Sequence, residues 1–148
     1  MRARDFAMSL PTVGTQTPAL DAMRLLAAHN LPGLIVVDDS GRPVTVMPGT
    51  QVLRLVIPRY CQDDPTLARM IDEPSADLFL AGVRGRTVAD LLPREHHDLP
   101  VVDPDATVLE IAAVMAGSRS PLVAIAPAGG PMIGAITLDA LLDRMLSA

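Results

Sequence analysis

Apolar residues recur at helical spacing at Leu20, Met23, Leu26 and Ala27, and then the pattern changes. After Pro32 comes an unbroken apolar run, Leu34–Val37, whose length and β-branching suit a buried strand. Asp38-Asp39-Ser40-Gly41 reads as a turn and Val44–Met47 as a second strand. A second helix is predicted from near Gly49 through Val52, Leu53, Leu55 and Val56. Thr17-Pro18 predicts the start of the first helix, an N-cap followed by proline at the first helical position. Pro32 predicts its end, because proline disfavours helical geometry in the residue before it.

The same order of elements occurs again. At a constant offset of 89 residues, Pro11–Leu53 falls on Pro100–Leu142 without a gap. Pro11, Val13, Leu20, Ala27, Pro32, Gly41 and Leu53 meet identical residues, and residue classes match between them, as in Leu34 with Val123 and Val36 with Ile125. In the second copy Thr107-Val108-Leu109-Glu110 has capping-box spacing. Leu109, Ala112, Ala113, Met115 and Ala116 are expected to carry the apolar face of that helix, and Pro121 to end it. Leu122–Ile125 and Met132–Ile136 are expected as strands around Pro127-Ala128-Gly129-Gly130, with a last helix from Leu138 through Leu141, Leu142, Met145 and Leu146. A lead-in repeats too: Ala3-Arg4-Asp5-Phe6 matches Val88-Ala89-Asp90-Leu91 at an offset of 85, with four extra residues in the second copy within 93–99. One such unit exposes an apolar sheet face; two stacked copies can bury it.

Composition narrows the function classes. Apolar residues make up 49% of the 148 residues and the mean hydropathy is +0.34, which suggests a dense core and an apolar partner surface. No apolar run approaches the roughly 18 residues of a membrane span, and none follows the N-terminus at signal-peptide length, so a cytoplasmic chain is expected. The net charge is −5, basic residues total 12 without clustering, and aromatics are 2%, all of which argue against a nucleic-acid surface. Cys61 is the single cysteine and reads as inert.

Several stretches, in this order, resemble the CBS-domain pattern: Leu31-Pro32-Gly33-Leu34-Ile35-Val36-Val37-Asp38, Thr87–Leu92, Val101–Glu110 and Gly134-Ala135-Ile136-Thr137. The resemblance implies an α/β fold. Two βαββα repeats, residues 1–57 and 86–148, would pack sheet to sheet with pseudo-two-fold symmetry, the arrangement called a Bateman module. Residues 58–85 would form a helical insertion between them. It further implies homodimers, adenosyl nucleotides (AMP, ADP, ATP or S-adenosylmethionine) held in clefts between the repeats, and regulation of an enzyme or transporter in trans. No cofactor is required by this reading.

The family's ribose contact is a Ser/Thr-x-x-Asp motif at the start of each last helix, where a carboxylate accepts bonds from both ribose hydroxyls. Here Thr137 is present but the acid position is Ala140; Asp139 comes one residue early, about 100° round the helix. In the first copy the stretch is Pro48-Gly49-Thr50-Gln51, with Gln51 a neutral substitute. The resemblance places candidate ligand contacts at Thr12, Val13, Pro32 and Gln51 and at Val101, Val102, Asp103, Pro121 and Thr137. Two readings stay open: altered ribose recognition, or a ligand-free dimerisation module.

No nucleophile or acid–base constellation is visible, so a non-catalytic protein is expected. Glu95-His96-His97-Asp98 lacks the H-x-x-x-H spacing of a helical metal site and reads as a solvated loop, and His29 as a helix-end residue. In the middle segment Asp64-Pro65 reads as a helix start, with Leu67, Met70 and Ile71 at helical spacing. Ser75 is expected to cap a short helix through Leu78-Phe79-Leu80, ended by Gly82. The segment is either a connector or a dimer contact or lid.

Overall fold

A computed structural model describes residues 1–70, 81–92 and 99–147. In the first repeat β1 (Val13–Gly14), α1 (Ala19–Ala28), β2 (Gly33–Val37), β3 (Pro43–Pro48) and α2 (Gly49–Val56) follow in order. A short helix α3 (Arg59–Asp63) and a 3-10 helix (Pro65–Met70) come next, then α4 (Val88–Leu91). The second repeat holds β4 (Val101–Val102), α5 (Val108–Ser118), β5 (Leu122–Ile125), β6 (Gly134–Thr137) and α6 (Leu138–Leu146). The expected cap at Ser75, the helix over 78–80 and the histidine pair at 96–97 lie outside the described residues.

Each repeat forms a three-stranded sheet. The first strand runs parallel to the second and the second antiparallel to the third, with Val13 beside Val36 and Val101 beside Ala124. The continuous apolar runs have a direct cause: both faces of β2 and β5 are covered, and side chains alternate across a strand. Leu34 and Val36 point into a cluster with Val13, Ala22, Met47 and Val52 on the helix side. Ile35 points the other way, where it joins Val46, Leu122, Ala124 and Ala135 in the layer between the sheets. Val123 and Ile125 face the helices of the second repeat with Ile111, Met115, Ile136 and Leu141. The fold is thus α/β with the sheets back to back and helices outside.

The lead-ins are exchanged between repeats. The Ala3 amide donates to the Ala106 carbonyl and Arg4 to Pro104, while Val88 donates to Thr17 and Ala89 to Thr15. These are the same two bonds under the pseudo-symmetry. Ala3 is consequently buried in the second repeat's core, and Val88 in the first's. Asp5 and Asp90 stabilise the two turns alike, accepting the amides of Arg2 at 2.7 Å and Thr87 at 2.9 Å. The Arg4 guanidinium also pairs with Asp105 on the surface.

Several expected details shift. Helix α1 begins at Ala19, with Pro18 extended before it (φ −55°, ψ 133°), because Pro18 bridges Thr87 and the Thr17 hydroxyl accepts the Gly14 amide at 3.0 Å. Thr107 does cap α5, accepting the Glu110 amide at 3.2 Å. The apolar face of α5 is only partly the expected one: Met115 is buried and Ala112 packs on the core, but Leu109 is 77% exposed, Ala113 and Ala116 are exposed, and Ile111 is buried instead. That helix is apolar on most sides, so spacing alone leaves its rotation open. The stops of α1 and α5 lie ahead of Pro32 and Pro121, at Asn30 (φ 50°) and Arg119 (φ 55°), both left-handed. Leu31 then donates to Leu26 and Ser120 to Met115, the Schellman pattern in both copies. Asp64 caps its helix through the Thr66 amide, but that helix is 3-10 rather than α.

Candidate functional site between the repeats

Two clefts flank the inter-sheet layer. The first, about 270 Å³, is lined by Ser9, Leu10, Thr12, Val37, Gly41 and the segment Met132–Gly134. The second, about 370 Å³, is lined by Leu99, Val101, Val102, Asp103 and the segment Ala126–Gly130, with Arg42 and Pro43 reaching over from the other repeat. They are pseudo-symmetric counterparts: Leu10 corresponds to Leu99, Thr12 to Val101, Val37 to Ala126 and Gly41 to Gly130. Each is floored by the start of one repeat's first strand and rimmed by the hairpins of both. The short β1 and β4 put this floor in place, because each pairs only with the end of the strand beside it, Val13-Gly14 against Val36-Val37 and Val101-Val102 against Ala124-Ile125.

The chemistry of the second cleft rests on two side chains. Arg42 is about half exposed and its Nε lies 3.7 Å from Asp38, which also accepts the Arg42 and Ser40 amides. Asp103 accepts the Asp105 amide through one oxygen at 2.8 Å and is exposed. A cation and a carboxylate therefore share one small cleft with apolar walls.

The residues marked from the sequence do not converge on one cavity. Val101, Val102 and Asp103 line the second cleft and Thr12 the first. Val13 is buried in the core of its own repeat. Pro32 and Pro121 lie in a groove of about 500 Å³ on the helical face, with Met23, Leu26, Val52, Leu53 and Arg119. A counterpart groove of about 390 Å³ beside α5 and α6 shares Arg119 and Pro121. Gln51 stands half-buried on α2, in none of these cavities among the described linings. The Thr137 hydroxyl caps α6 by accepting the Ala140 amide at 3.2 Å, and Ala140 packs against the second repeat's core. Arg42 was not singled out in the sequence; its signal is the offset, which sets it in the hairpin opposite Pro131.

A family model described as CBS domain matches residues 3–44 and 88–147. The chain belongs to the CBS-domain family. A CBS domain-containing protein of unknown function from Kribbella flavida is 48% identical, with 99% of each chain covered and a TM-score of 0.81. The CBS-pair protein CBSX2 from Arabidopsis thaliana is 21% identical over 99% of this chain and 94% of its own, with a TM-score of 0.74. A structure of CBSX2 in complex with AMP is 23% identical over 99% and 96%, with a TM-score of 0.68. None of the curated proteins matches the chain. The CBS match includes both exchanged lead-ins, Ala3–Phe6 and Val88–Leu91, and stops short of α2 in the first repeat. Among the described residues no helix is long and apolar enough to cross a membrane, and no cluster of metal-ligating side chains occurs.

Proposed function

We propose that this CBS pair is a non-catalytic regulatory module of the cytoplasm that binds an adenosyl nucleotide between its repeats and acts on a partner protein in trans. The observation that carries the reading is the cleft of about 370 Å³ framed by both repeats, whose lining combines Arg42 with Asp103. Its size falls in the lower part of the roughly 300–1,000 Å³ range of small-ligand pockets. Arg42 offers planar donors suited to a phosphate. Asp103 offers a carboxylate to ribose hydroxyls, the group absent from Gln51 and Ala140. The fold shared with CBSX2, seen with AMP, supports the same ligand class. Calorimetric titration with AMP, ADP, ATP and S-adenosylmethionine tests this. Saturable binding of one of them is expected, and no saturation at millimolar concentration rejects the nucleotide reading.

The module acts as a homodimer through its helical face. The two grooves there meet at Arg119 and Pro121 and are related by the pseudo-two-fold, so a second copy can offer the same surface in return. Leu53, Leu138 and Leu142 line these grooves and are exposed. A monomer by light scattering at micromolar concentration rejects this assembly. The second reading, a ligand-free dimerisation module, draws on the same face together with the missing ribose acids.

A further inference from the structure

We infer that the two clefts are not equivalent and that only the one bearing Arg42 and Asp103 takes the nucleotide, an inference that rests on the nucleotide reading above. The pseudo-symmetry breaks at three positions around them. In the first cleft the Met132 amide donates to the Gly41 carbonyl at 2.8 Å, tying the hairpins of the two repeats together. The counterpart bond would run from residue 43 to the Gly130 carbonyl. Residue 43 is proline and has no amide hydrogen. The second cleft therefore has no such latch, and it is the larger, about 370 against 270 Å³. The hairpins also touch at the first cleft, where a Cβ added to Gly41 would stand 3.4 Å from the Pro131 Cβ.

The other two breaks are electrostatic. Arg42 corresponds to Pro131, and Asp103 to Gly14. The second cleft holds a cation for a phosphate and a carboxylate for a diol. The counterpart positions of the first carry neither, and its described lining has no charged side chain. Three independent differences thus favour the same cleft, one by opening it and two by supplying the groups that grip opposite ends of a nucleoside phosphate.

Titration calorimetry with AMP and with adenosine, on the wild type, Arg42→Gln, Asp103→Asn and Pro43→Ala, tests the inference. Both charged side chains are exposed, so their variants should melt with the wild type. One AMP per chain is expected. Arg42→Gln should weaken AMP by about tenfold while leaving adenosine unchanged, and Asp103→Asn should weaken both by about tenfold. Pro43→Ala, which restores a donor opposite Gly130, should weaken AMP as well. Two AMP per chain overturns the inference and leaves the nucleotide reading standing. So does a single AMP whose affinity ignores both charge variants but falls in Thr12→Trp, which fills the first cleft. Unchanged affinity in Pro43→Ala refutes the missing latch as the cause of the opening. No binding of any of AMP, ADP, ATP or S-adenosylmethionine removes the nucleotide reading itself, and the inference with it.

Discussion

Gly33 opens β2 opposite Pro48 of β3, and its lack of a side chain is a packing requirement. A Cβ built there would lie 2.6 Å from the Met47 carbonyl oxygen, 3.2 Å from its carbon and 3.1 Å from the Pro48 Cα. Ordinary carbon–oxygen contacts sit near 3.3 Å or beyond, so the strands must part by about 0.7 Å. All three atoms are backbone, and a rotamer change cannot relieve the clash. The neighbouring pair Leu34 and Met47 is buried at 1% and 0%, and the Gly49 amide closes on the Pro32 carbonyl at 3.0 Å, so any shift passes into the core. Gly33→Ala should cost about 2–3 kcal/mol, as overpacking does. For a chain of this size that lowers Tm by about 4–12 °C. Thermal and urea unfolding followed by circular dichroism measure it, with an unchanged m-value showing that the native state alone is strained. Gly117→Ala is the control. It lies in α5 with no atom near the added Cβ, and removing a helix glycine should stabilise by about 0.5–1 kcal/mol. If Gly33→Ala melts with the wild type, the register assigned to β2 and β3 is wrong.

Three further outcomes follow from single residues. Arg119 holds a left-handed conformation that costs a non-glycine residue about 1 kcal/mol, so Arg119→Gly should raise Tm, and a fall would refute the Schellman ending of α5. Thr107→Ala removes the hydroxyl that caps α5 and should destabilise by about 1 kcal/mol in urea unfolding; no change would mean the cap is idle. Leu142→Glu puts a charge on the exposed helical face at a site 43% accessible, and should leave the circular dichroism of the folded chain unchanged while light scattering shows dimers giving way to monomers. A dimer that persists would move the interface elsewhere.

The repeat was legible because buried strands and helix stops leave strong local marks. Leu34–Val37 and Leu122–Ile125 are apolar at every position since each lies between a helix layer and the other sheet, and a gapless offset is what two copies of one unit produce. The exchange of lead-ins was not legible. Ala3–Phe6 and Val88–Leu91 match each other as sequence, but nothing in either says which repeat it packs against; that is decided by long-range bonds such as Ala3 to Ala106. The rotation of α5 was hidden for another reason. With Val108, Leu109, Ile111, Ala112, Val114 and Met115 all apolar, exposure of Leu109 follows only from where the sheet sits. At the site, Val101, Val102 and Asp103 were reachable as the segment before a first helix. Arg42 was not, because its cleft belongs to the other repeat.

Differences between the copies sort by what surrounds them. Where both repeats must solve the same folding problem they use the same device: the two lead-in bonds, the aspartate turns at Asp5 and Asp90, and the left-handed stops at Asn30 and Arg119. Some differences are compensations in packing. Gly33 stands where the other copy has Leu122, which fills the layer between the sheets at 1% exposure. Others sit at the rims of the clefts, where Met132 packs against the inter-sheet layer and the other groups join no core cluster. Arg42 for Pro131 and Asp103 for Gly14 place exposed charges that join no core cluster, and Pro43 for Met132 removes a bond across a rim. Folding alone gives no reason for these three to fall together. The nucleotide proposed above supplies one, since all three positions bear on the cleft it would occupy.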